Sequence, residues 1–223
     1  MSAEYSLSEL IKFHLDTYYS NVDKNENYEL ETRFNTKGVK TTRIQFEKVI
    51  QLLKSKGFSV EDGENGMNIL KIQNEYMDEN LVGNQRISKI RVEIEGITSV
   101  QDYCKTNDIK KDIEKNEFAT NFQNKTYIKN DKNESVFPVD VKEYNLRVSY
   151  QKEVELSEYS RLIKDLKQNW NETKKIFRYM NRTTFVHPMF PFKVDMSIVK
   201  SSTFDERKRP IPVYKIEESG VFS

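Results

Sequence analysis

The chain has 223 residues, and its 36 lysines and arginines nearly balance its 35 aspartates and glutamates, giving a formal net charge of +1. With 36% hydrophobic residues, the composition favours one folded domain with a buried core and excludes a protein disordered throughout. The apolar runs are far shorter than the ~20 residues that span a bilayer. The first residues, MSAEYSLSEL, lack the basic and apolar regions of a secretory signal. Because the charges cancel, a polyanion must be bound at a local site.

The residues that the chain lacks exclude several common chemistries. The single cysteine, Cys104, excludes an internal disulfide and a Cys-x-x-Cys zinc site, and it indicates a reducing compartment. The seven glycines form no GxxxxGK[ST] phosphate loop and no GxGxxG dinucleotide turn. With only two histidines, His14 in a helix and His187 in a turn, the chain has little material for a histidine metal site or a Ser-His-Asp relay.

In chain order, the first half alternates between helical and strand periodicity. Helices are predicted over residues 6–20, 42–56 and 97–109, and strands over 28–34, 58–62, 67–74 and 86–95. Two of these strands, 58–62 and 67–74, are expected to pair as a hairpin. The second helix is expected to end at Gly57 and to bury four apolar residues. These are Phe46, Val49, Ile50 and Leu53.

The second half opens with a lysine- and asparagine-rich stretch, residues 110–135, which is predicted to be a long loop with a weak strand at 125–129. Strands are then predicted over 136–140, 143–153, 174–186 and 191–200, with a helix over 155–172 and a proline-limited edge strand over 209–219. About eight strands with three or four helices, without regular strand-helix alternation, favour an antiparallel α+β architecture.

Charged residues occupy one face of several predicted strands, because side chains alternate between the two faces of a strand. The residues that share such faces are Glu29, Glu31 and Arg33; Lys89, Arg91, Glu93 and Glu95; Arg147 and Ser149; Arg178 and Arg182; and Lys193, Asp195 and Ser197. A one-sided sheet with a solvated outer face is one interpretation. The other is a polar lumen, since arginines bind phosphate in bidentate fashion and paired carboxylates hold Mg²⁺ or Mn²⁺.

Four segments carry a family resemblance: ELETRF at 29–34, NLRVSYQKE at 145–153, FRYMNRTTF at 177–185 and FKVDMSIVKSS at 192–202. Together they resemble the RNA triphosphatase domain of mRNA capping enzymes from large DNA viruses, a member of the triphosphate tunnel metalloenzymes. The resemblance implies an antiparallel eight-stranded β-barrel flanked by helices. It further implies hydrolysis of the γ-phosphate of 5′-triphosphorylated RNA with Mg²⁺ or Mn²⁺, in the cytoplasm, at a viral factory or in the virion.

The resemblance assigns roles to individual residues. Glu29 and Glu31 match the metal-binding glutamates. The other residues that match catalytic or phosphate-contacting positions are Arg33, Arg91, Arg147, Lys152, Arg178, Arg182, Asp195 and Lys200, with Glu153 as a further tunnel residue. Met180 stands where the family often has a second basic residue.

The end of the sequence departs from the family, whose members carry a last glutamate strand that completes the metal site. Glu217 and Glu218 are adjacent and point to opposite faces, so they do not replace it. The expectation is therefore one domain over residues 1–223, the N-terminal part of a longer capping enzyme, whose barrel lacks its closing strand.

Three functional hypotheses stay open at this point. The first is a capping RNA 5′-triphosphatase with a guanylyltransferase domain or subunit as partner. The second is a tunnel enzyme that acts on small triphosphates. The third is a non-catalytic module that binds RNA 5′ ends or a capping partner.

Overall fold

The computed structural model describes residues 7–20, 27–34, 41–61, 66–76, 86–109, 119–129, 133–141, 144–202 and 213–216. No helix within these ranges is long and apolar enough to cross a membrane.

The described residues form four helices and ten strands. The helices are α1 (Leu7–Tyr19), α2 (Arg43–Ser55), α3 (Ile97–Thr106) and α4 (Arg161–Gln168). The strands are β1 (Tyr28–Phe34), β2 (Ser59–Val60), β3 (Met67–Tyr76), β4 (Arg86–Ile87), β5 (Ile90–Glu95), β6 (Ala119–Tyr127), β7 (Val139–Val141), β8 (Leu146–Glu155), β9 (Lys175–His187) and β10 (Phe190–Ser201). These elements divide between two compact units: a first unit of residues 1–45 and 124–154, and a second unit of residues 46–123 and 155–223.

The first unit is built on the antiparallel pair β1 and β8, which runs from Tyr28 opposite Lys152 to Phe34 opposite Leu146. The short strand β7 adds to the other side of β8. One face of this sheet is aromatic: the buried ring of Tyr150 meets Tyr28 at 5.7 Å and Tyr18 of α1 at 5.9 Å. Since α1 covers the aromatic face, the opposite face is left for polar residues.

The second unit is an antiparallel sheet in the order β5–β3–β9–β10, with β4 on β3 and β2 on β9. Its apolar face packs on α3 and α4. The buried residues of this core include Leu70, Ile72, Val92, Ile94, Val100, Tyr103, Ile163, Trp170 and Phe177. The long strand β9 lies between β3 and β10. Because its side chains alternate, every second residue of β9 points away from this apolar core.

Local signals fix where three helices begin or end. At α2, the Thr42 hydroxyl accepts from the backbone N–H of Gln45 at 3.3 Å, and the side-chain amide oxygen of Gln45 accepts from the backbone N–H of Thr42 at 2.9 Å, a capping box. At α4, Ser160 accepts from the N–H of Ile163. Asn107 ends α3 with φ of 52°, in the left-handed conformation.

Several local predictions are wrong. The hairpin of 58–62 with 67–74 is not formed in the described residues, because β2 pairs with β9 instead of β3. The predicted loop at 110–135 contains β6, whose pairing overrides the low strand propensity of lysine and asparagine. The helix predicted over 155–172 shortens to α4 because its N-cap is at Ser160.

The burial predicted for α2 is also wrong, since none of its residues is buried. Val49 is exposed, and Phe46, Ile50 and Leu53 are half-buried. In the predicted edge strand at 209–219, Val213 exchanges backbone hydrogen bonds with Lys175 at 2.7 and 2.9 Å. Residues 209–212 and 217–219 lie outside the described part of the chain.

Candidate functional site

In the first unit, the strand register sets the predicted glutamates on one polar face. Glu29 lies opposite Gln151, Glu31 opposite Ser149, and Arg33 opposite Arg147. With Asp140, Glu153 and Lys125, these residues form what is called here the glutamate face. The alternating sequence ELETRF therefore places its three charged side chains together, away from the aromatic core.

Each of the two predicted metal-binding glutamates is paired with a cation of the chain itself. Glu31 accepts two hydrogen bonds from Arg33, both of 2.6 Å, and this bonding raises the pKa of the arginine. Glu29 accepts from the ammonium of Lys125 at 2.6 Å, and the same ammonium contacts Glu153. Lys125 thus bridges two carboxylates that come from different strands, β1 and β8.

Arg147 lies at the far end of the glutamate face. It donates to both carboxylate oxygens of Asp140 at 2.7 and 2.9 Å, which raises its pKa, and its side chain is 46% exposed. These two hydrogen bonds to the Asp140 carboxylate fix the orientation of the Arg147 guanidinium group.

Lys152 does not share the glutamate face. It lies opposite Tyr28, with its ammonium 5.7 Å from the centre of that ring. Its neighbour Glu153 points to the glutamate face and contacts Lys125. Strand alternation separates the two adjacent residues, so the predicted phosphate contact of Lys152 does not fit this arrangement.

The second unit also has one charged face, formed by the residues of β3, β5, β9 and β10 that point away from the core. It is called here the arginine face. The pairing that defines it sets Lys71 opposite both Glu93 and Arg178, Met180 opposite Ile69 and Val199, Arg182 opposite Met67 and Ser197, and Thr184 opposite Asp195. By alternation, Arg91 lies on the same face as Glu93.

Arg182 and Asp195 meet on the arginine face. A guanidinium nitrogen of Arg182 lies 3.3 Å from the Asp195 carboxylate, which also accepts from the buried Thr184 hydroxyl at 2.8 Å. The Nε of Arg182 is buried, and it has no hydrogen-bond partner in the described part of the chain. Leaving a buried N–H without a partner is energetically costly.

Sequence reasoning placed Glu93 on a charged strand face but missed its partner, Lys71. The two form a nearly buried ion pair on the arginine face, with the Lys71 and Glu93 side chains 17% and 5% exposed. Glu93 stands in a predicted alternating strand. Its partner was not identifiable, because the pairing of β3 with β5 joins distant parts of the chain.

One residue of the predicted set, Lys200, does not share the arginine face. Lys200 lies opposite Tyr179, on the face of β10 away from Asp195. Because Asp195 and Lys200 are five positions apart, an odd spacing, strand alternation puts them on opposite sides. Arg178 lies on the arginine face and is exposed, and Met180 between it and Arg182 is buried.

Carboxylate oxygens are the ligands that Mg²⁺ and Mn²⁺ prefer, so the glutamate face has the right chemistry for a divalent metal. The Lys125 ammonium between Glu29 and Glu153 already shows that two of these carboxylates converge on one cation. In the described residues, however, no three His, Cys, Asp or Glu side chains are grouped to hold a metal ion.

The described residues also border a surface cleft of about 420 Å³, lined by Asn121, Phe122, Glu155, Leu156, Ser157 and Glu158. None of the predicted site residues lines it.

The fold class is an antiparallel α+β fold, as the sequence predicts. This fold is similar to a crystal structure of the capping enzyme triphosphatase of Mimivirus, with a TM-score of 0.50 and 13% sequence identity over 89% of this chain and 81% of the viral one. The fold expected from the sequence resemblance is thereby confirmed. No protein-family model matches the sequence, and none of the curated proteins matches it significantly.

Proposed function

We propose that this chain is an RNA 5′-triphosphatase of mRNA capping, which hydrolyses the γ-phosphate of 5′-triphosphorylated RNA with Mg²⁺ or Mn²⁺ as cofactor. The observation that carries the proposal is the placement of Glu29, Glu31 and Arg33 on one polar face, in a fold similar to a viral capping enzyme triphosphatase. A guanylyltransferase domain or subunit in the cytoplasm of the infected cell is the partner that this function requires.

In the proposed function, the glutamate face binds the metal cofactor. Glu29 and Glu31 would supply carboxylate oxygens, and Glu153 is a third carboxylate on the same face. A bound divalent metal would offset negative charge on the phosphates during attack by water. Arg33 and Arg147, each held by a neighbouring carboxylate, keep their side chains oriented as hydrogen-bond donors.

The arginine face has the task of binding phosphate oxygens. The Arg182 side chain is 31% exposed, and Asp195 keeps its guanidinium in place. Arg178 is exposed on the same strand, and guanidinium groups match phosphate oxygens geometrically. Hydrolysis breaks the β–γ anhydride bond, with water adding to the γ-phosphorus, and leaves a 5′-diphosphate end and inorganic phosphate.

A non-catalytic module that binds RNA 5′ ends is the second candidate. The observation that favours it is that Glu29 and Glu31 are both paired with cations of the chain itself. Such a module would bind the triphosphate on its arginine face without turnover.

The test measures both binding and phosphate release with 5′-triphosphorylated RNA and Mn²⁺. If the chain is the proposed enzyme, it should release phosphate, and Glu31→Ala should abolish that release. Arg182→Ala should lower the affinity for the RNA. The control is Glu172→Ala, which removes an exposed glutamate outside both faces and should change neither quantity. Tight binding without release would instead establish the binding module. Faster hydrolysis of inorganic tripolyphosphate than of RNA ends would identify a small-molecule enzyme.

A further inference from the structure

The ammonium of Lys125 lies beneath the carboxylates that it bridges. The Lys125 side chain is 10% exposed, whereas those of Glu29 and Glu153 are 41% and 27% exposed. The lysine is therefore shielded from solvent, while both of its partners remain accessible. An ion that arrives from solvent meets the carboxylates before it meets the lysine.

We propose that Lys125 is an internal cation that competes with a divalent metal ion for Glu29 and Glu153. This inference rests on the proposed function, which assigns a metal to Glu29 and Glu31. Two positive groups a few ångströms apart repel each other, and this repulsion is strong where water is largely excluded. Metal binding at Glu29 therefore requires the Lys125 ammonium to leave its position.

The competition has two consequences for the site. While Lys125 is in place, its ammonium holds Glu29 and Glu153 together without a metal ion. The same ammonium lowers the affinity of the site for a metal ion. Once the ammonium leaves, the carboxylates of Glu29 and Glu153 are both available to a metal ion.

Titration calorimetry with Mn²⁺ in the absence of RNA tests the competition directly. Lys125→Met should bind Mn²⁺ about tenfold more tightly than the wild type, because the competing charge is removed. Lys125→Arg, which keeps the charge, should stay within about twofold of the wild type. The matched control is Lys105→Met, which removes an exposed lysine 3.6 Å from Asp102 on α3 and should leave Mn²⁺ affinity unchanged. An unchanged or weaker affinity in Lys125→Met, or no Mn²⁺ binding by any variant, overturns the proposal.

A second measurement uses the wild-type chain and does not depend on how the variants fold. Acetylation with an amine-reactive ester, followed by mass spectrometry, should label Lys125 slowly without metal and several-fold faster with saturating Mn²⁺. Lys105 serves as the internal control and should react equally in both conditions. Equal labelling of Lys125 with and without Mn²⁺ would contradict displacement. Neither assay contains RNA. A failure of the proposed RNA triphosphatase activity is therefore distinguishable from a failure of the competition between Lys125 and the metal ion.

Discussion

The ion pair of Lys71 and Glu93 allows a sharp prediction about the stability of the second unit. The two residues face each other on β3 and β5, and the Glu93 side chain is 5% exposed. Replacing Lys71 with methionine leaves this carboxylate buried and unpaired. Removing one partner of a buried pair costs about 3–5 kcal/mol, consistent with a Coulomb attraction of about 4 kcal/mol for charges 4 Å apart at an effective dielectric constant of 20.

The assay is urea unfolding followed by the fluorescence of Trp170. It is the only tryptophan in the chain, and it is buried in the core of the same unit. We expect Lys71→Met to lower the free energy of unfolding by about 3 kcal/mol or more. The double variant Lys71→Met with Glu93→Leu should lose much less, because no unpaired charge remains buried.

The control is the exposed pair of Lys193 and Glu61, also in the second unit, with side chains 60% and 38% exposed. Lys193→Met should cost less than about 1 kcal/mol, as is usual for surface pairs. If Lys71→Met costs no more than Lys193→Met, or if the double variant is less stable than the single one, the reasoning about burial is refuted.

Two further predictions concern stability. Gly66 and Gly96 both have positive φ, of 65° and 88°, but a Cβ on Gly66 would lie 2.7 Å from the Arg182 carbonyl oxygen, while the nearest atom to one on Gly96 is 3.8 Å away. Gly66→Ala should therefore lower the thermal midpoint clearly more than Gly96→Ala, and equal losses would show that the backbone of β9 yields easily. His14 is buried, its Nδ1 lacks a hydrogen-bond partner in the described residues, and burial lowers its pKa. Below pH ~6.5 the unfolded chain therefore binds more protons than the folded chain, so the free energy of unfolding should decrease as the pH drops from 7 to 5. His14→Leu should remove this pH dependence in urea titrations, and a slope equal to that of the wild type would contradict the assignment.

The bounds of individual strands, and the residues that share a strand face, were predictable from the sequence. Strict alternation in YELETRF gave the bounds of β1 and the common face of Glu29, Glu31 and Arg33. The same period places Arg178 and Arg182 on one face of β9. The period also separates Asp195 from Lys200, and Lys152 from Glu153, so the assignment of both lysines to the site conflicts with the alternation that supports the others.

Long-range pairing was not predictable in the same way. Lys125 lies in a lysine- and asparagine-rich stretch with low strand propensity, and its role becomes visible only when β6 brings it to Glu29 and Glu153. Lys71 meets Glu93, which lies 22 positions later in the sequence. The expected hairpin partner of β3 was the preceding strand β2, whereas the observed partners are β4, β5 and β9.

The central claim is most directly tested by phosphate release from 5′-triphosphorylated RNA, comparing the wild-type chain with Glu29→Gln in the presence and absence of Mn²⁺. The account predicts that the wild type releases phosphate and leaves a 5′-diphosphate end only when the metal is present. Glu29→Gln, which keeps the size of the side chain but not its charge, should lose this release while retaining the fold. Equal release by both proteins, or release that does not require the metal, would contradict the account.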